Sequence, residues 1–406
     1  MRILVVYPYI PYPVDRGTYQ RSFHLLRELA RTHTVDLFAL SEKGERLEQR
    51  PVFEAFCGRV EFEPFEHPEW PRLFPDRLLN PLPTTILHWR ADHIREALGR
   101  FMAGQKYDLV HVCDIVMAQY FLEEHPEVRL SVDRSRVDLQ FQLAQHEAMA
   151  HGLKQKLLDW ENISKLERFE KRVAARCAIQ VLCGPDDEVF VRERISTEVP
   201  LLVVANGVDL EFFRPDSAPD PRDAVPTVLF CGAMDYSPNV DALRWFFGEI
   251  HDRLLQQVPD LRVWIVGKAP VDEVKAHGTR KGVTVTGGVP DVRPYYRRSW
   301  LQIVPLRIGG GTRLKIPECM AMRTPVVSTT IGAQGLDLRH DHDILLADTP
   351  ETFAKETARA LKDAALRAHI EETGYRTVHE RLGWGRLGAV LAEEYTRRFG
   401  AGTTAG

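Results

Sequence analysis

Short apolar runs alternate with helix-spaced patterns from one end of this chain to the other, and that alternation leaves few folds open. In the first half, Ile3–Tyr7, Val35–Ala39, Val60–Glu63, Leu109–Cys113, Leu130–Asp133, Gln180–Cys183 and Leu202–Ala205 read as strands. In the second half the strands are Val228–Cys231, Val263–Val266, Val283–Thr286, Gln302–Val304, Val326–Ser328 and Ile344–Leu346. Helical patterns separate them: Phe23, Leu25, Leu26, Leu29 and Ala30 recur at helix spacing within Thr18–Arg31. In the second half, Val240–Gln257, Val271–His277, Val292–Arg298, Leu314–Met322 and Thr352–Glu371 are the expected helices. The expected class is α/β, with two Rossmann-like, doubly wound parallel sheets.

A chain of 406 residues suits two domains, at about 100–200 residues each. Pro215, Pro219, Pro221 and Pro226, set among aspartates without periodicity, mark a linker over 215–226. The expected domains are 1–214 and 227–383, with a C-terminal helical segment, 384–406, returning to the first. Two such domains would face an interdomain crevice at the carboxyl ends of their sheets, where ligands bind.

One stretch carries most of the chemistry. The apolar run Leu301–Pro305 ends in Gly309, Gly310 and Gly311, and Thr312, Arg313, Leu314 and Lys315 lead into a helix holding Glu318. Pro317 dates the helix start near Leu314, because proline is tolerated only in the first turn. Free N–H groups and the positive end of the helix dipole then face the glycine gap. Amides, two cations and one acid suit a diphosphate joined to a hydroxyl-rich group, which is a nucleotide sugar.

Composition narrows the partners. A formal net charge of −4 argues against a nucleic-acid binder, whose domains are usually basic. The six cysteines form no CxxC pair, which suits reduced thiols in a cytoplasmic protein. The run Met1–Tyr7 meets Pro8 at once, too short for a signal peptide. No stretch approaches the roughly 20 apolar residues of a membrane span. No GxGxxG follows the first strand, which lowers an oxidoreductase reading.

With these residues in view, the chain resembles the GT-B glycosyltransferases of the retaining family 4 type, which includes many bacterial polysaccharide and glycolipid enzymes. The resemblance rests on Phe230–Met234, Val263–Gly267, Val285–Asp291, Arg313–Val327 and Ala205–Asp209, and it spans nearly the whole chain. It implies a metal-independent, hexosyltransferase-type enzyme without a cofactor, binding a nucleotide diphosphate sugar through the second domain and a hydroxyl acceptor through the first. It places a ribose ligand at Glu318 and the base near Val289, with Gly232 at the donor. Two departures stand out. The glutamate often found eight residues before the Glu318 position is Gly310 here, and the stretch Gly232–Asn239 lacks the usual arginine and lysine. Arg313 and Lys315 are the expected replacements at the diphosphate, stabilising it as it leaves.

In the first domain, the loop Tyr9–Thr18 resembles the family's glycine loop, so Arg16 and Gly17 are expected at the donor phosphate and Tyr19 and Arg21 beside the sugar or acceptor. Asp133, at a strand's carboxyl end, is the expected catalytic carboxylate, with Asp114 and Arg134 as further acceptor-side candidates. An ion pair between Asp133 and Arg134 or Arg136 is the alternative. His111 sits in an apolar run and reads as a packed core histidine. Arg339–Asp343 has the letters of a metal site but reads as a polar loop. Lys154–Arg176, basic around Trp160 yet also acidic, reads as a solvated helix face. A peripheral contact at the inner membrane face is the second reading of that stretch. The overall expectation is transfer of a sugar to a polysaccharide, glycolipid or small-molecule hydroxyl, with retention. A nucleotide-sugar epimerase or hydrolase, or a catalytically silent binding partner, is the alternative.

Overall fold

A computed structural model describes residues 1–68, 77, 80–148, 153–215, 222–308 and 314–400. The chain divides into two compact units: Met1–Ala205 with the segment from Leu387, and Asn206–Arg386.

The first unit is built on a seven-stranded parallel sheet of order β3-β2-β1-β4-β5-β6-β7. Its strands are β1 Arg2–Tyr7, β2 Thr34–Glu42, β3 Val60–Phe65, β4 Leu109–Cys113, β5 Leu130–Asp133, β6 Ile179–Leu182 and β7 Leu201–Val203. In register, Val5 of β1 lies between Leu37 of β2 and His111 of β4. Helices α1 (Gly17–Thr32) and α2 (Leu153–Arg176) are the ones that bear on function. Strand order reverses where β1 meets β2 on one side and β4 on the other, so the carboxyl ends of β1 and β4 form the crevice of a doubly wound sheet.

The second unit holds a six-stranded sheet of order β10-β9-β8-β11-β12-β13. Its strands are β8 Thr227–Cys231, β9 Arg262–Val266, β10 Val283–Gly287, β11 Leu301–Val304, β12 Val326–Ser328 and β13 Leu345–Leu346. Here the order reverses between β8 and β11. Helix α3 (Ser237–Trp245) follows β8, and α4 (Lys315–Ala321) follows β11. The last helix, α5, spans Trp384–Phe399.

Two boundaries differ from the sequence expectation. The helix expected over 352–371 is two helices, Pro350–Lys362 and Ala364–Thr377. Asp363 interrupts them, because its carboxylate caps the second by accepting the Ala365 and Leu366 N–H groups at 3.0 Å. The division between units falls after Ala205 rather than within 215–226. Val208 bridges to Gly383, and the Phe213 ring meets Tyr296 edge-on at 6.3 Å, so 206–215 is tied into the second unit.

From Leu387 onward, α5 belongs with the first unit. Tyr395 places its hydroxyl 2.7 Å from His111 Nδ1 and also bonds Ser131. Gly388 lets α5 approach α1 closely, since a Cβ there would lie 2.3 Å from Glu28 Cβ.

Candidate active site

In the second unit, three neighbouring strands end on glycine. Gly232 follows β8, Gly267 follows β9, and Gly287 closes β10. Gly267 has no alternative: a Cβ there would sit 1.6 Å from the Gly232 carbonyl oxygen. The Gly267 N–H bonds the Gly287 carbonyl at 3.1 Å, which joins the loops across the sheet's carboxyl edge. Glycine thus lets these loops pack closely along the edge, with half-exposed Val289 two residues after Gly287.

The charged groups of α4 stand at that edge. Lys315 Nζ donates to Asn239 Oδ1 at 2.8 Å and lies 4.7 Å from the centroid of the Phe230 ring. Glu318 accepts from the buried Tyr296 hydroxyl at 3.1 Å, and both Lys315 and Glu318 keep part of their surface open. Cys231 lies close to them. Burial, with Glu318 nearby, pushes its thiol up to about 11 despite the opposing ammonium of Lys315. Glycines, one ammonium and one carboxylate thus stand at this edge of the sheet. Gly309, Gly310, Gly311, Thr312 and Arg313 lie outside the described residues. Sequence reasoning missed Asn239 and Tyr296. A buried asparagine in a helix's first turn was the only available signal for the first, and nothing marked the second.

The first unit revises several expectations. Asp133 is 1% exposed, and its partner is Arg21 rather than Arg134 or Arg136. Arg21 donates through Nε to both carboxylate oxygens at 3.1 and 3.0 Å and through Nη2 at 2.6 Å, and its Nη1 reaches the Val204 carbonyl at 2.7 Å. Arg134 is likewise committed, donating to the buried Glu170 at 2.7 Å, which also accepts the Leu139 N–H. Asp133, Arg21 and Arg134 therefore hold the scaffold together, because Arg21 and Asp133 are buried against each other and Arg134 against Glu170. His111 is fully buried, and burial lowers its imidazole to about 4, as a core histidine requires.

Asp114, unlike Asp133, keeps part of its surface open. It follows β4 with φ 61° and ψ 155°, a region that side chains avoid and that persists only where surroundings enforce it. Its carboxylate is half-buried and accepts the Ser135 hydroxyl at 3.0 Å. Burial, then the neighbouring Asp138 and Asp133, raise Asp114 to about 6. Beside it, after β1, Tyr19 stacks on Tyr9 at 4.6 Å, and the guanidinium of Arg16 lies 5.4 Å from the Tyr19 centroid. Gly17 opens α1, directly after Arg16. Sequence reasoning had Asp114 as the lesser candidate, because backbone strain leaves no trace in composition.

His340, Asp341 and Glu356 bring ligand-type atoms within 4.8 Å of one another. The cluster is already satisfied by protein. Arg359 donates to Asp341 at 2.9 Å and to Glu356 at 2.7 Å, and His340 Nδ1 accepts the Leu346 N–H at 2.9 Å. That acceptor nitrogen leaves the proton on Nε2, which turns the neutral ring's other nitrogen into a donor.

Comparison with known proteins adds the decisive observation. Residues 225–363 match the family Glycosyl transferases group 1. Over that stretch the chain is similar to the group 1 glycosyltransferases. Over 221 residues it is 25% identical to the lipopolysaccharide core biosynthesis mannosyltransferase LpcC of Rhizobium leguminosarum bv. viciae, a match covering 50% of this chain and 61% of that protein. The curated relatives it matches are spanned for 42% and 61% of their lengths. Sucrose-phosphate synthase from Thermosynechococcus elongatus superposes with a TM-score of 0.73 at 17% identity, covering 98% of this chain and 99% of that one. HepE from Anabaena, solved with UDP, superposes with a TM-score of 0.67 at 14% identity, covering 98% and 100%. At such identities the likeness establishes the fold, which is GT-B. The matched stretch contains Gly232, Lys315 and Glu318, and the strained Asp114 lies outside it.

Proposed function

We propose that this chain is a metal-independent glycosyltransferase that moves a sugar from a nucleotide diphosphate donor to a hydroxyl acceptor, with retention. The observation that carries the reading is Lys315, whose ammonium is held by Asn239 over Phe230 beside the glycine-bared end of β8. An ammonium held in place at a strand–helix switch stabilises a diphosphate as it leaves. Arg313, two residues before it in sequence, would share that charge. Glu318 would hold the ribose hydroxyls and the backbone near Val289 the base. HepE, of the same fold, has been solved with UDP-glucose, which supports a nucleotide-sugar donor.

On the first unit, Asp114 would accept the hydrogen of the acceptor hydroxyl, with Tyr19 and Arg16 beside it. A panel of UDP, GDP, ADP and dTDP tests the donor side by thermal shift. A nucleotide at 100 times its dissociation constant stabilises by about 2.7 kcal/mol, and no shift with any of the four would overturn the reading.

Glu318→Gln should weaken nucleoside diphosphate binding about ten- to a hundred-fold, the scale of one lost charge-assisted bond. Calorimetric titration checks this. Wild-type affinity in the variant, with an unchanged melting point, would remove Glu318 from the site.

The protein is proposed to work in the cytoplasm, with peripheral contact at the inner membrane face. Among the described residues, no helix is long and apolar enough to cross a membrane. Leu157 and Trp160, one turn apart on α2, are 62% and 66% exposed beside the exposed Lys156, a pairing of apolar and basic groups suited to an anionic lipid surface. Wild-type protein should float with anionic vesicles and the Leu157→Ser/Trp160→Ser variant should not. Equal flotation of the two would end this part of the proposal.

A further inference from the structure

Lysine is a flexible point charge on a four-carbon stem, so an anion site built on one needs something to hold it. In the second unit that role falls to a residue outside the glycine-rich stretch. Asn239 is 5% exposed in the first turn of α3, and its side chain is bound at both ends. Nδ2 donates to the Ala233 carbonyl at 2.8 Å, and Oδ1 accepts from Lys315 Nζ at 2.8 Å. The first bond settles the second. With the amide nitrogen committed to a carbonyl, the oxygen is the atom turned toward the ammonium.

Two further features confine the same ammonium. The Phe230 ring lies 4.7 Å away and attracts it through the ring face. Gly232 supplies the space, since a Cβ there would fall 2.8 Å from Asn239 Nδ2 and 3.1 Å from Lys315 Nζ. An amide, a ring and a missing side chain therefore fix the charge at the carboxyl end of β8.

We infer that Asn239 is a positioning residue for the donor diphosphate, acting through Lys315 by holding its ammonium at the carboxyl end of β8. This rests on the donor-site reading above and extends it to a residue on a different element, in the loop region that lacks the family's usual arginine and lysine. A purely structural asparagine would serve the Ala233 carbonyl alone, and its loss would then be felt equally with or without Lys315.

A double-mutant cycle separates the two roles. The tightest binder among UDP, GDP, ADP and dTDP is titrated into wild type, Asn239→Ala, Lys315→Met and the double variant, and the corresponding phosphate-free nucleoside is titrated in parallel. Lys315→Met should weaken the diphosphate about ten- to a hundred-fold, the range of a lost charge-assisted bond. Asn239→Ala should weaken it about five- to tenfold, and the double variant should be no worse than Lys315→Met, the mark of residues acting as one unit. Nucleoside binding should not change in any of them. Multiplying losses in the double variant, a parallel loss of nucleoside affinity, or wild-type affinity in Asn239→Ala would each overturn the assignment. Wild-type protein that binds none of the four diphosphates would instead overturn the donor reading, and this inference with it.

Discussion

Arg21→Met should destabilise the first unit by about 3–5 kcal/mol, because removing one member of a buried pair leaves the other charge buried and unanswered. The case is strong here. Arg21 and Asp133 are 0% and 1% exposed, and the guanidinium also reaches the Val204 carbonyl, so three segments of the sheet's carboxyl edge converge on it. Asp133→Leu should be comparably harmful. The paired change Arg21→Met/Asp133→Leu should recover much of the loss, since apolar replacement of a whole buried pair is often neutral. Urea midpoints of the four proteins check this. A single-variant loss below about 1 kcal/mol, the level of an exposed pair, would mean that water reaches the bridge.

Asp114→Asn should keep the fold and the affinity for nucleoside diphosphate while cutting turnover about 100-fold or more, the usual scale for a lost acid–base group. The pH dependence follows from its raised carboxyl, at about 6. The ionised form would receive the acceptor's proton, so turnover should rise as pH climbs through about 6 and then level. Stability runs the other way. A carboxyl raised by folding favours the native state below the ordinary aspartate range and loses that contribution as pH rises through the folded value. Asp114→Asn should therefore flatten the activity profile near 6 and remove the fall in melting temperature between the ordinary aspartate range and about 6. Wild-type turnover in Asp114→Asn would remove this residue from the acceptor site.

Most of the fold was legible because parallel strands covered by helices are short apolar runs separated by helix-period segments, and this chain keeps that grammar throughout. The break at Asp363 was not legible. A single aspartate inside a helical pattern reads as a surface residue until its carboxylate is seen capping the following helix. At the candidate site, Lys315 and Glu318 stood out because glycine, cation and acid stand together between a strand and a helix. Asp133 and Arg21 misled for a physical reason: a charged residue at a strand's carboxyl end looks the same in sequence whether it meets a ligand or an arginine more than a hundred positions away. The strain at Asp114 was not legible either, since it is a backbone angle. Asn239 escaped because its partner lies on another element, and pairing of that kind is set by the order of strands in the sheet.

The central claim, sugar transfer from a nucleotide diphosphate to a hydroxyl, is tested most directly by product analysis of full-length protein. UDP-, GDP-, ADP- and dTDP-sugars are each supplied with a panel of sugar, glycerol and lipid-linked hydroxyl acceptors, and nucleoside diphosphate and acceptor mass are followed together. The account predicts that one pairing yields an acceptor heavier by one anhydro-sugar, with one nucleoside diphosphate released per product, and that Lys315→Met abolishes both. Free or epimerised sugar formed without any acceptor, or donor bound with no turnover across the whole panel, would contradict it.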